Sequence, residues 1–158
     1  MLCALLCAKG HPSCFVDARK VLVVKDERGV DSSESESKVG GQVQVQWEES
    51  SRRLKKIVGD NPGKTLVITG FICCSATNVA RTLGRDGSDF SASIYGNILD
   101  ASSVTIWTDV NGVLSADPRR VPDASVLPRL SYNEASELAY FGAKVSANYC
   151  ILMLTGLA

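Results

Sequence analysis

Residues 84–89 bring together two glycines, an arginine, two aspartates and a serine, in the order GRDGSD. An amphipathic helical pattern follows directly, because Phe90, Ile94 and Ile98 recur on one face at i, i+4 and i+8. A glycine-containing loop that opens a helix presents free backbone N–H groups at the positive end of the helix dipole. Such an arrangement suits an anion, so residues 84–89 form a candidate anion-binding loop.

Two charged side chains of this loop can each bind a charged group. Arg85 can hold a carboxylate through two parallel hydrogen bonds. Asp89, in the first helical turn, can accept hydrogen bonds from an ammonium group or orient a lysine. An alternative interpretation stays open, in which the stretch is a surface loop, Ser88 is the helix N-cap and Asp89 only favours the helix dipole.

Two further polar clusters follow strand-like runs. Thr108 and Asp109 end one run, and Asp117, Pro118 and Arg119 end the hairpin expected after it. Ligands of parallel α/β sheets bind at the carboxyl ends of strands, so these clusters and the candidate loop could converge on one edge of the sheet. Taken singly, Asp109 fits better as a residue that flanks a hairpin, and Asp117 with Pro118 fits better as the start of a turn.

The overall composition bounds the possible functions. The chain has 158 residues, of which 45% are hydrophobic and 22% charged, with a formal net charge of zero. This length is enough for one domain with its own core. Neutrality argues against a nucleic-acid surface, which needs a basic excess. No apolar run approaches the roughly 20 residues of a membrane span, and the apolar start lacks the basic region of a signal peptide.

The positions of the cysteines in the sequence indicate reduced thiols. Four potential ligands near the N-terminus have metal-like spacing: Cys3, Cys7, His11 and Cys14. A zinc site usually has tight C-x2-C pairs held by turns, whereas Cys3 and Cys7 lie in a helix-like apolar run, so no metal site is predicted. Cys73 and Cys74 are adjacent in an apolar strand pattern and are expected to be reduced core thiols.

The periodicity predicts three helices besides the one after the candidate loop. The first ends near residue 9 and is closed by Gly10. The others cover residues 46–58 and residues 131–141, the latter with a capping box of Ser131 and Glu134. Val43 and Val45 alternate with glutamine, which leaves a strand possible just before the second helix.

Apolar, β-branched runs predict strands over residues 21–24, 65–74 and 104–107. Asn111-Gly112 is a two-residue hairpin signal, so residues 113–114 should fold back on the last strand. Residues 59–63 are predicted to form a turn. The Ser/Glu-rich stretch 26–41 is predicted to be a mobile polar loop. Alternating strands and helices predict an α/β domain with a mostly parallel sheet.

Three segments together resemble aspartate kinase, of the amino-acid kinase superfamily. They are TLGRDGSDFSA at 82–92, VTIWTDVNGVLSADPR at 104–119 and LSYNEASELAYFGAKV at 130–145. The segments VITGFI and DARKVLVV before them also fit. The pattern is most similar to the kinase part of the plant-type bifunctional aspartokinase/homoserine dehydrogenase and covers residues 1–145. It implies an amino-acid-kinase-like three-layer sandwich with a mostly parallel sheet.

The resemblance implies an activity and its partners. The family phosphorylates the side-chain carboxylate of L-aspartate with Mg²⁺ and ATP, which gives aspartyl 4-phosphate, the first step toward lysine, threonine, methionine and isoleucine. It also implies a homo-oligomer in the complete protein, with no nucleic-acid or membrane partner. If the chain is of the plant type, the resemblance implies a plastid (chloroplast) protein. Otherwise it implies a cytoplasmic one.

The resemblance assigns the family's functional roles to the matching positions of this sequence. The residues matched to the aspartate-binding loop are Arg85, Asp86, Gly87 and Ser88. The two residues matched to catalytic roles are Asp89 and Lys144, and Asp89 would order the ammonium groups at the reacting centre. The residues matched to ATP binding are Thr108, Asp109, Leu114, Asp117, Pro118, Arg119 and Lys144. No resident metal ligand is implied.

The chain departs from the family pattern at several places. It has no match to the family's Lys-Phe-Gly-Gly segment, so the N-terminal part of the domain is expected to be missing. Asp86 stands where the family usually has glycine, and Leu114 where tyrosine is common. Residues 146–158 do not follow the pattern and are expected to be a non-family tail. The alternative to an active kinase is a non-catalytic nucleotide-binding fragment or an inactive truncated product.

Overall fold

A computed structural model describes residues 1–25, 43–84, 87–107, 112–117 and 119–140. The chain divides into two compact units, Met1–Ser88 and Asp89–Ala158. The stretch 26–41 and the tail 146–158 lie outside the described residues, so their predicted character stays a prediction.

The first unit alternates helices and short strands. In chain order these are α1 (Leu2–Ala8), β1 (Ser13–Val16), a 3-10 helix (Ala18–Lys20), β2 (Val23–Val24), α2 (Trp47–Asp60), β3 (Thr65–Ile68), β4 (Ile72–Ser75) and β5 (Ala80–Thr82). Helix α2 therefore runs through the turn expected at residues 59–60, and its predicted range is confirmed to within two residues. The possible strand before it is reduced to one antiparallel bridge, Val24 to Val45.

Helix α1 ends as its sequence predicts. Gly10 has φ 82°, in the left-handed region. The Gly10 N–H donates to the Cys7 carbonyl at 3.0 Å, and the His11 N–H donates to the Leu6 carbonyl at 2.9 Å. These two bonds form a Schellman motif, which satisfies carbonyls at the end of the helix.

The strands form two small sheets rich in parallel pairs. Strands β1 and β3 pair in parallel, with Ser13 opposite Thr65. Strands β2 and β4 also pair in parallel, whereas β4 and β5 pair antiparallel. The predicted α/β class with parallel strands is confirmed. Strand β5 was not predicted, because its three exposed residues, Ala80–Thr82, carry no apolar alternation.

The prediction of one strand over residues 65–74 is wrong, because the run breaks into β3 and β4. Phe71 has φ 71°, which is rare for a residue with a side chain. The Ile72 N–H donates to the Gly70 carbonyl at 2.9 Å. A bond between residues two apart, with a positive φ between them, matches the strained form of γ-turn. The turn passes the chain from one sheet to the other, so β4 pairs with β2 instead of β1.

The core of the first unit surrounds β2 and β4. The fully buried apolar residues there include Val21, Leu22, Val23, Leu54, Cys73 and Cys74. Both cysteines are free thiols, as predicted. Burial, together with the neighbouring Cys74, raises the pKa of the Cys73 thiol to about 11. Cys73 therefore stays protonated near neutral pH and acts as a small apolar side chain.

Ser50 joins α2 to β2 through a fully buried hydroxyl. The Val23 N–H donates to the Ser50 Oγ at 3.0 Å. Replacing Ser50 by alanine should lower the free energy of unfolding by about 1–3 kcal/mol, since this buried N–H would lose its acceptor. Urea denaturation measures the change. The control is Ser51→Ala, a half-buried neighbour on the same helix, which should change stability by about 0.5 kcal/mol or less. Equal losses in both variants would contradict this role.

The second unit holds most of α3 (Gly87–Ile98), which begins at the end of the first unit, and α4 (Tyr132–Tyr140). The predicted apolar face of α3 is confirmed, because Phe90, Ile94 and Ile98 are all buried. The predicted capping box of α4 is also confirmed. The Glu134 N–H donates to the Ser131 Oγ at 3.2 Å, and the Ser131 N–H donates to a Glu134 carboxylate oxygen at 2.8 Å.

The predicted strand over residues 104–107 is not formed. No strand pairing involves it within the described part of the chain, and Trp107 is 91% exposed. Leu114 pairs instead with Val126 in an isolated antiparallel bridge. The Leu127 N–H donates to the Val113 carbonyl at 2.8 Å beside it. Residues 113–114 therefore fold back on a later segment than predicted.

Candidate functional site

The candidate loop leaves β5 through a left-handed glycine. Gly84 has φ 77°, a conformation that L side chains rarely adopt. The Gly87 N–H donates to the Gly84 carbonyl at 3.2 Å, which joins the end of the β5 segment to the start of α3. The Leu83 N–H donates to the Phe71 carbonyl at 2.8 Å and ties the start of the loop to the γ-turn. The loop is thus held at both of its described ends.

Gly87 occupies a position with no room for a side chain. A Cβ there would lie 2.9 Å from Cδ2 of Phe71 and 3.0 Å from Cβ of Leu83. Contacts this short require the neighbouring atoms to move. The ring of Phe71 therefore packs directly on the backbone where α3 begins. Sequence reasoning missed Phe71 as a site residue and placed it inside a strand, although a glycine within a strand pattern, here Gly70, signals a close backbone approach.

Ser88 and Asp89 lie in the first turn of α3. Because α3 begins at Gly87, Ser88 is already helical and is not the N-cap that the alternative interpretation required. Ser88 is exposed and Asp89 is half-buried. The Ser93 hydroxyl donates to the backbone carbonyl of Asp89 at 3.1 Å. The positive end of the helix dipole at this turn favours a negatively charged ligand.

The second described cluster of predicted site residues is a turn. The Asp117 carboxylate accepts from the Arg119 N–H at 2.9 Å, and its backbone carbonyl accepts from the Arg120 and Val121 N–H groups at 2.9 Å each. The turn-starter interpretation of Asp117 is confirmed. Arg119 is exposed, while Leu114 is half-buried in its bridge. The turn brings the Asp117 carboxylate onto the backbone of Arg119 and leaves the arginine side chain exposed.

The remaining predicted site residues lie outside the described residues, and their roles stay predictions. They are Arg85, Asp86, Thr108, Asp109, Pro118 and Lys144. Within the described ranges, no cluster of three or more histidine, cysteine, aspartate or glutamate side chains could hold a metal ion. The helices in those ranges are too short or too polar to cross a membrane.

Comparison with known proteins points to one family. The model of the family described as "Amino acid kinase family" matches residues 1–156. The chain is similar to bifunctional aspartokinase/homoserine dehydrogenase 1, chloroplastic, of Zea mays, with 45% identity over 145 residues, which are 92% of this chain and 15% of that protein. It is 50% identical over 131 residues to the chloroplastic bifunctional enzyme of Daucus carota, which covers 83% of this chain and 13% of that protein.

A solved structure supports the same assignment. The crystal structure of E. coli aspartokinase III in complex with aspartate and ADP matches with a TM-score of 0.79 and 28% identity, over 96% of this chain and 32% of that one. The chain thus spans about 15% of the length of the Zea mays relative and about a third of this E. coli chain. The fold, the segment order and the family model agree, and the chain belongs to the amino acid kinase family.

Proposed function

We propose that this chain acts as an aspartate kinase, which transfers the γ-phosphoryl group of ATP to the side-chain carboxylate of L-aspartate. The observation that carries the proposal is the candidate loop, in which a left-handed glycine leads to a helix N-terminus without room for a side chain at Gly87. The chloroplastic relatives are named as aspartokinases, and the E. coli structure holds aspartate and ADP. The same loop and helix suit the carboxylates of aspartate.

The reaction needs positioning and charge neutralisation more than covalent help from the protein. A carboxylate oxygen of aspartate forms a bond to the γ-phosphorus, and the bond from that phosphorus to the β,γ-bridging oxygen breaks, so ADP leaves. Two anions must approach each other against repulsion. The start of α3, Arg85, Arg119 and Lys144 supply positive charge for this approach. Asp89 then binds the ammonium group of the substrate.

Aspartate binding is assigned to Arg85, Asp86, Gly87 and Ser88. Arg85 holds the α-carboxylate in two parallel hydrogen bonds, and the Ser88 hydroxyl donates one more. Gly87 lets the Phe71 ring pack on the backbone and so positions the start of α3. ATP binding is assigned to Thr108, Asp109, Leu114, Asp117, Pro118, Arg119 and Lys144.

Magnesium fits this scheme as part of the nucleotide substrate. Mg²⁺ is usually held by one or two carboxylates together with substrate phosphates and water. When bound, it neutralises the charge of the phosphates.

The pathway, the oligomeric state and the location of the protein are proposed from its similarity to aspartokinases. The product, aspartyl 4-phosphate, would enter the synthesis of lysine, threonine, methionine and isoleucine. The complete protein would be a homo-oligomer, and the chloroplastic relatives favour a plastid location.

Calorimetric titration of the 158-residue chain tests the binding part of the proposal. Mg-ADP should bind, and L-aspartate should bind in its presence. The matched control ligand is L-asparagine, which has the same shape without the side-chain charge and should bind at least about 10-fold more weakly. Nucleotide binding without any aspartate binding would favour the alternative, a non-catalytic nucleotide-binding module. Failure of both ligands to bind would contradict the proposal.

A further inference from the structure

Two thiols and one hydroxyl meet between α1 and β1. Cys3 and Cys7 are four residues apart on α1, so both face the start of β1. The Sγ atom of Cys3 lies 3.3 Å from the Ser13 Oγ, and the Sγ atom of Cys7 lies 3.2 Å from the same oxygen. We call these three residues the dithiol cluster. Cys7 is exposed, so solutes can reach it.

Ser13 takes part in each hydrogen bond of the dithiol cluster. The Ser13 hydroxyl donates its hydrogen to the Cys3 backbone carbonyl at 2.9 Å. The Ser13 oxygen therefore keeps two lone pairs that can accept from the two thiols, and the Cys7 thiol also lies 3.6 Å from the Ser13 backbone carbonyl as a donor. Both sulfur atoms thus border on one hydroxyl oxygen. A single cation between the two sulfurs would replace both thiol hydrogens.

A direct disulfide fits this geometry poorly. Residues four apart on a helix have Cβ atoms about 5–6 Å apart, whereas a disulfide needs about 3.5–4.5 Å. The last turns of α1 would have to distort to close that bond. A metal ion spans a longer distance, because metal–thiolate bonds of about 2.3 Å separate two opposed sulfurs by up to about 4.6 Å.

The number of available metal ligands restricts which metal ion can bind. Zinc in proteins is almost always four-coordinate, and the described residues provide no group of three or more histidine, cysteine, aspartate or glutamate ligands. Two thiolates suit a soft ion that accepts low coordination, and thiolates are the ligands that select Cu(I). Zinc is therefore the poorer fit to this cluster.

We propose that the dithiol cluster of Cys3, Cys7 and Ser13 is a binding site for a soft monovalent metal ion of the Cu(I) class. On binding, two S–H bonds break, two metal–sulfur bonds form and two protons pass to solvent. The copper stays monovalent, so no oxidant or reductant is consumed. The dithiol cluster shares no residue with the candidate loop at residues 84–89.

Competition with a chromogenic Cu(I) chelator under anaerobic conditions tests the site. All proteins carry Cys150→Ser, because residue 150 lies outside the described residues. The chain should retain one Cu(I) against the chelator. Cys3→Ser and Cys7→Ser should each weaken copper binding by at least about 100-fold, since loss of a ligand costs more than the 10- to 100-fold seen for residues behind the ligands.

The matched control is Cys14→Ser, which removes a half-buried thiol one residue from Ser13 on β1. Its copper affinity should equal that of the unsubstituted chain. Circular dichroism of each variant checks that α1 and the sheets are intact. The proposal would be wrong if the chain retained no Cu(I) against the chelator. It would also be wrong if the Cys3, Cys7 and Cys14 variants retained equal amounts of Cu(I).

Discussion

Replacing Asp89 by asparagine should lower kcat/KM for L-aspartate by about 100- to 1,000-fold, the range seen when one preorganised electrostatic contact is removed from an active site. Asp89 is half-buried in the first turn of α3, two residues after the glycine that admits no side chain. Asparagine keeps the size of the side chain and removes its charge, so the ammonium group of the substrate loses its counter-ion. Steady-state release of ADP at varied aspartate concentration measures the change.

The matched control is Asp123→Asn, an exposed aspartate of the second unit with no assigned role. Its kcat/KM should stay within about 2-fold of the parent, because exposed substitutions away from special features are usually near neutral. If Asp89→Asn retained the activity of this control, Asp89 would have no role in substrate binding or catalysis.

Replacing Gly87 by alanine should lower kcat/KM for L-aspartate by about 100-fold. The added methyl group would lie 2.9 Å from the Phe71 ring and 3.0 Å from the Leu83 Cβ. Phe71 is 45% exposed and its ring can rotate away. The Leu83 Cβ is fixed to the backbone, so that contact is relieved only when the loop or the start of α3 shifts. A misplacement of about 1 Å at a reacting centre costs about 100-fold in rate.

Gly59→Ala is the matched control for this substitution. Gly59 lies in α2, and a Cβ there would meet nothing within 4 Å. Alanine should stabilise α2 by up to about 1 kcal/mol and leave the kinetics unchanged. Thermal denaturation of both variants separates unfolding from misplacement. A Gly87→Ala protein with parental kcat/KM would show that the close approach of Phe71 does not position the loop.

Local patterns were sufficient to predict the helices and the glycine-containing loop before α3. The spacing of Phe90, Ile94 and Ile98 predicted the buried face of α3, and Ser131 with Glu134 predicted the start of α4. These features depend on neighbours within one or two turns, which a single sequence displays. The glycines of the candidate loop were informative for the same reason, since Gly84 does adopt a left-handed conformation.

The break at Phe71 had one local signal, Gly70, which indicates a close backbone approach but does not show that Phe71 takes a positive φ. Apolar, β-branched residues continue on both sides of it, and a phenylalanine carries no signal for a positive φ. Its conformation is stabilised by distant partners, since its carbonyl accepts from Leu83 and its ring packs on Gly87. Strained backbone of this kind tends to occur at functional sites, where the surrounding structure determines it.

The missing strand at residues 104–107 has a related cause. Val104, Thr105, Ile106 and Trp107 have high β-propensity, but propensity describes a fit to a pleated surface that neighbouring strands must supply. No such partner is present in the described ranges. The sequence shows which residues favour a strand, whereas pairing depends on the arrangement of the whole unit.

Trapping of aspartyl phosphate with hydroxylamine tests the proposed activity most directly. The 158-residue chain would be incubated with Mg-ATP and L-aspartate, and the hydroxamate formed would be measured. The account predicts hydroxamate that requires both substrates, that is absent with L-glutamate and that falls with Asp89→Asn. A folded chain that binds ATP but forms no hydroxamate, or forms it equally with L-glutamate, would contradict the assignment as an aspartate kinase.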